Sequence, residues 1–158
     1  MITIKTLIPP ARLVCRDVLP LWPVAAAVAW LRQPEAQILA WVDAGRVGWA
    51  WNLGRRAARH REIRLWFRSL EALKLGVPEP DHLTPDEVAD AVIGHARPTL
   101  RAVEVAALLN CHRSTVTRFL VEGELRAAET GRPRRGPHSS VSITRDSLVK
   151  LLVDRRVV

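Results

Sequence analysis

A chain of 158 residues, 48% apolar and 25% charged, has room for one domain or two small ones and the composition of a globular protein, which excludes a disordered or fibrous chain. Its net charge of +8 and pI near 11.1 point to a polyanionic partner, nucleic acid ahead of an anionic membrane surface. Its two cysteines, Cys15 and Cys111, lie far apart with no Cys or His at ligand spacing, and the five histidines do not cluster, which argues against zinc and for a reducing cytoplasm.

After a lead-in over residues 10–18, apolar periodicity predicts a first helix over residues 24–31 and a second over 34–44, with Pro34 suited to a first helical turn. The apolar stretch over residues 18–31 is broken by Pro20 and Pro23. It is shorter than a membrane span and lacks the basic flank and cleavage site of a secretory leader, so it reads as core. A strand over 47–51 follows Gly45, then the basic run GRRAARHR, a return strand over 62–65 and a closing helix over 67–75. All six tryptophans, at positions 22, 30, 41, 49, 51 and 66, fall in this half. Trp30 and Trp41 are expected in the core. Trp49 and Trp51 share one side of their strand with Val47, and some of the six are expected to be open to a partner.

Pro78 and Pro80 mark a linker, and Thr84-Pro85-Asp86-Glu87 is a capping box that starts a helix over residues 85–95. Glu79, Asp81, Asp86, Glu87 and Asp90 make this the one acidic stretch, either a solvated face or a dock for a basic partner such as a second copy. Val105, Ala106, Leu108 and Leu109 then repeat at helical spacing, and Val116, Phe119 and Leu120 do so after a break at Asn110-Cys111. Asn110 takes the turn, where a left-handed backbone is expected, and Gly123 ends the second helix. Arg113, Ser114, Thr117 and Arg118 lie off its apolar stripe. The segment ELRA, the basic loop TGRPRRGPHS and the alternating Val141-Ser142-Ile143 read as strand, wing and strand, and Thr144 caps a last helix over 145–154.

Sliding the chain by 78 positions without a gap brings the two halves into phase, with Pro20 on Pro98, Leu31 on Leu109, Trp41 on Phe119, Gly45 on Gly123, Ile63 on Val141 and Leu70 on Leu148. The expected organisation is mainly α with small β-hairpin wings (α+β): two tandem winged helix-turn-helix domains, residues 1–77 and 85–158, joined by a linker over 78–84. Charge is divided unevenly. Residues 1–78 carry twelve Lys and Arg against five Asp and Glu, and residues 79–158 carry twelve against eleven.

The order EVAALL, turn, RSTVTRFLVEGEL, arginine-rich loop and short closing helix, over about residues 98–155, resembles the excisionase and MerR-like winged helix-turn-helix family. The resemblance implies a recognition helix in the major groove of double-stranded DNA, with Arg113, Ser114, Thr117 and Arg118 as its contacts. It also implies a wing, Arg132, Arg134, Arg135 and His138, on phosphates or the minor groove. Arg101 and His112 stand where the family usually opens its two helices with Ser or Thr. In the N-terminal half, Gln33 and Gln37 are the candidate base contacts, since glutamine pairs with adenine, although Glu35 beside them is repelled by phosphate. Arg55, Arg56, Arg59, His60 and Arg61 form the matching wing.

By the same resemblance, the function expected is that of an accessory factor of recombination, in the cytoplasm at the nucleoid, that binds adjacent sites and bends DNA. A site-specific recombinase or integrase and head-to-tail self-association on DNA are its implied partners. A transcriptional or plasmid-maintenance regulator of the same fold stays open, as does an adaptor whose N-terminal half presents tryptophans to a protein. No Gly-rich phosphate loop, useful carboxylate pair or Cys/His nucleophile arrangement is present, and Ser114 and Thr115 have no base beside them. Enzymatic activity, cofactor and metal are therefore not expected.

Overall fold

A computed structural model describes residues 19–56, 61–79, 83–94, 97–129 and 141–157. Among them are seven helices and two small antiparallel sheets, an α+β fold. The N-terminal half runs β1 (Leu21–Pro23), α1 (Val24–Leu31), α2 (Glu35–Asp43), β2 (Ala50–Asn52), β3 (Ile63–Trp66) and α3 (Phe67–Leu75). After α4 (Pro85–Ile93) the C-terminal half runs β4 (Thr99–Arg101), α5 (Ala102–Leu108), α6 (Arg113–Val121), β5 (Ser142–Thr144) and α7 (Arg145–Arg155). The lead-in over residues 10–18 and the whole of the second basic loop, residues 130–139, lie outside the described residues.

The halves repeat in backbone detail at the same offset of 78. Arg32 and Asn110 both take a left-handed turn, at φ 55° and 47°, and Gly45 and Gly123 both follow their helix at φ 68° and 73°. Arg46 N–H donates to Trp41 O at 2.8 Å, as Glu124 N–H does to Phe119 O at 2.9 Å. Phe67 N–H donates to Pro20 O at 3.0 Å, as Arg145 N–H does to Pro98 O at 2.9 Å. The phase slips once: Ala50 faces Leu65, whereas Ala127, not Ala128, faces Ile143. The N-terminal half thus has one more residue between Val47 and β2. Gly48 lies there, and a Cβ on it would come within 1.7 Å of Glu79 Oε2.

Local chemistry accounts for the helix starts. Thr84 accepts from Glu87 N–H and donates its own N–H back to Glu87 at 2.7 Å, a closed capping box. Arg101 opens α5 without a capping side chain, and Glu104 instead reaches back to its N–H at 2.7 Å. His112 caps α6 through Nδ1, which accepts from Ser114 N–H at 3.3 Å. Three expectations shift. Pro34 is the residue before α2, not its first turn. Thr144 makes no side-chain cap; its hydroxyl donates to Ser147 Oγ instead. The segment ELRA contributes a single bridge, Ala127 to Ile143, and no strand. Strands β1 and β4 were not expected, because three residues carry no readable alternation. Pro23 is tolerated in β1 because that strand is the edge of the order β1-β3-β2.

The N-terminal sheet is apolar on both faces. Ala50, Ile63 and Leu65 pack inward with Ala27, Ile38, Val42, Val47 and Leu70. Leu21, Trp51, Leu53 and Trp66, on the alternate positions, join Trp49 in a second cluster with Leu109, Val116, Phe119, Leu125 and Leu151 of the C-terminal half. The halves expected as separate domains therefore share a core. Hydrogen bonds extend the junction: the backbone N–H of Val157 donates to Ala50 O at 2.8 Å, and the side-chain Nδ2 of Asn110 donates to Leu21 O at 3.1 Å. In the C-terminal sheet the corresponding face carries Thr99, Ser142 and Thr144, which are only partly buried.

Candidate nucleic-acid interface

Helix α6 is held by Val116 and Phe119, at 1% and 0% exposure, which turns Arg113, Ser114, Thr117 and Val121 to solvent as one stripe at i, i+1, i+4 and i+8. Val121 is 82% exposed, the most exposed of the large apolar side chains described. No sequence signal was read for it, yet its spacing of eight from Arg113 places it on the same face. The start of α6 is exposed too, with His112, Arg113 and Ser114 around it, and the helix dipole there favours an anion. Thr117 Oγ1 donates to Arg113 O at 3.2 Å, which fixes the hydroxyl while leaving its methyl and lone pairs outward.

Arg118 does not belong to this stripe. Its guanidinium donates to Leu53 O in the N-terminal half and to Glu122 at 3.3 Å, and lies 4.6 Å from the centre of the Phe119 ring. With 16% of its side chain exposed, it ties the two halves together. Periodicity places a residue off the apolar stripe of its own helix; it does not show that another unit covers that side.

Helix α2 offers a different surface. At the offset of 78 its counterparts to Arg113, Thr117 and Val121 are Glu35, Leu39 and Asp43. Glu35 and Asp43 are exposed, and Asp43 accepts from Arg61 at 2.9 Å. Gln33 is partly buried and Gln37 is exposed; they match Cys111 and Thr115, which lie off the exposed stripe of α6. A groove of about 460 Å³ beside α2 is lined by Glu35 and Glu62 together with Arg61 and Arg64, and by Val24, Leu39 and Ile63.

Of the first basic loop, Arg55, Arg56 and Arg61 are exposed, and Arg59 and His60 lie outside the described residues. The second loop residues Arg132, Arg134, Arg135 and His138 lie outside them as well. Arg64 donates Nε to Asn110 O at 3.0 Å and so helps hold the turn before α6. At the junction, Arg155 is 6% exposed, donates to Glu124 at 2.8 Å through Nε and again through a second nitrogen, and donates to Gly54 O at 2.6 Å. These bonds hold the Glu124 carboxyl below its ordinary range. Burial pushes the Cys111 thiol up to about 11, which makes it a poor nucleophile. Trp49, Trp51 and Trp66 are buried in the shared cluster and are not open to a partner, while Trp22, Trp30 and Trp41 are partly buried against the N-terminal core, the first two around Phe67.

Among the described residues, no group of three His, Cys, Asp or Glu could hold a metal ion, and no helix is long and apolar enough to cross a membrane. Comparison with known proteins gives no match to a family model, a curated protein or a solved structure.

Proposed function

We propose that the chain binds double-stranded DNA in a sequence-specific manner, with each half a winged helix-turn-helix unit and α6 the helix that enters the major groove. The observation that carries this reading is the exposed stripe Arg113, Ser114, Thr117 and Val121 on a helix whose start is open to solvent, in a chain of net charge +8. Arg113 has the bidentate donors that suit guanine O6 and N7, Ser114 and Thr117 suit bases or phosphates, and Val121 suits a thymine methyl. By its resemblance to excisionases, the protein acts as an accessory factor that bends DNA at the site of a recombinase.

The test uses duplexes selected from a randomised pool, with binding compared on selected and random sequence. Arg113→Ala should cost roughly 1–3 kcal/mol on the selected duplex and relax preference at one base pair. Equal losses on both duplexes would mean that Arg113 touches phosphate alone. Bending is read from gel mobility with the site permuted along a fragment, and an unbent complex would remove the accessory role.

A further inference from the structure

We propose that the chain reads DNA with one helix and borrows phosphate contacts from its other half: Arg55 and Arg56 of the N-terminal unit grip the backbone of the same site that α6 enters. This rests on the reading of α6 given above. The carbonyls that precede these two arginines are clamped to the C-terminal half, Leu53 O by Arg118 and Gly54 O by Arg155 at 2.6 Å. Arg56 Nε lies 3.7 Å from Glu124, three residues beyond the end of α6. Because Glu124 is already held by two nitrogens of Arg155, Arg56 is left at the surface, with 68% of its side chain exposed. The first basic loop thus begins beside the far end of the helix that carries Arg113.

The span decides what one duplex can meet. A helix of nine residues is about 13.5 Å long, so Arg113 at one end and the Arg55–Arg56 pair beside the other are separated by roughly 15–20 Å. That is about half of the ~34 Å turn of B-DNA. Helix α2 supplies no second reader, since Glu35 stands where α6 has Arg113, and Asp43, paired with Arg61, stands where α6 has Val121, so the cationic and apolar contacts of α6 have no counterpart there. The chain therefore covers about one turn of duplex, not the two turns that paired recognition helices would cover.

The experiment uses the full chain on 30-bp duplexes selected by that chain, with hydroxyl-radical footprinting, neutral methylphosphonate substitution at each phosphate, and a salt series. The expected footprint is about 10–12 bp. The variant Arg55→Ala/Arg56→Ala should lower the salt slope by about two units and abolish sensitivity at phosphates within about half a turn of the base that Arg113→Ala relaxes. Arg55→Lys/Arg56→Lys should restore both, and all variants should melt like the parent because these side chains are exposed. A footprint of two turns, or Arg55-dependent and Arg56-dependent phosphates a full turn from the Arg113 base, would overturn the shared site while leaving DNA reading by α6 intact. Failure of the full chain to retain any duplex would overturn that reading and this inference with it.

Discussion

Replacing Arg155 by Met removes the charge that joins the two halves while keeping most of the side-chain volume over Phe119, whose ring centre lies 5.3 Å from the guanidinium. Lost with it are two bonds to Glu124, one to Gly54 O and a longer one to Asn52 O at 3.5 Å. Breaking one partner of a buried pair costs about 3–5 kcal/mol, because the remaining charge is stranded. Here Glu124 keeps 15% exposure and has Arg56 at 3.7 Å, so the lower end, about 3 kcal/mol, is expected. Urea unfolding followed by tryptophan fluorescence measures this directly, since Trp49, Trp51 and Trp66 lie in the shared cluster. The pair Arg155→Met/Glu124→Gln should recover part of the loss, as no unpaired charge is left. The wild type should also lose stability in acid. The Glu124 pKa is depressed on folding, so its contribution is full above the unfolded value of about 4.3 and disappears as pH falls through the folded value. A loss below about 1 kcal/mol in Arg155→Met, with the acid profile unchanged in Glu124→Gln, would refute the claim that this cluster holds the halves together.

Three further outcomes follow from particular contacts. Arg118→Ala should lower the unfolding midpoint and leave the base preference of bound DNA unaltered, the reverse of Arg113→Ala; relaxed preference at one base with an unchanged midpoint would return Arg118 to the reading face. Gly123→Val, at φ 73° with open space around its Cβ position, should cost at least about 1–2 kcal/mol through backbone strain alone, and Gly123→Asn should cost less; equal melting of the two would mean that the left-handed turn is not needed. Burial raises the Glu79 carboxyl pKa against the opposing pull of the Ser69 side chain, Gly48 N–H and Arg156. Its favourable contribution is therefore full below the unfolded pKa and is lost as pH rises through the folded one. The melting temperature of Glu79→Gln relative to wild type should then climb as pH rises above the unfolded value of about 4.3, and a flat difference would mean that Glu79 is solvated.

The local elements were legible because each is set by a few neighbouring residues. The periods of Val116, Phe119 and Leu120, the turn at Asn110 and the stop at Gly123 placed α6 and its flanks. The 78-residue offset carried the same pattern back onto α2, whose bounds match those of α6 residue for residue. The capping box at Thr84 marked the start of α4. Strands β1 and β4 were not legible, since three residues held by pairing to a distant strand show no pattern of their own. His112 stands where the resembled family has Ser or Thr at a helix start, and its imidazole nitrogen accepts an N–H as a hydroxyl does.

What the sequence by itself determined is the repeated order of helices and turns, because helical period, capping and left-handed glycines act over four or five residues. It also showed the excess of positive charge, with most of it in the N-terminal half. Which faces remain free was decided only by the tertiary structure. Trp49, Trp51, Trp66, Leu21 and Leu53 give the N-terminal sheet a second apolar face, and burying it against the C-terminal half is favourable by the area removed from water. That packing turns Arg118 and Arg155 inward onto the carbonyls of Leu53 and Gly54. It leaves Arg113, Ser114, Thr117 and Val121 as the open stripe and sets Arg55 and Arg56 beside the end of α6. The periodicity of a helix shows which side is polar. Whether that side meets solvent or a carbonyl 65 residues away in the chain depends on how the two halves pack.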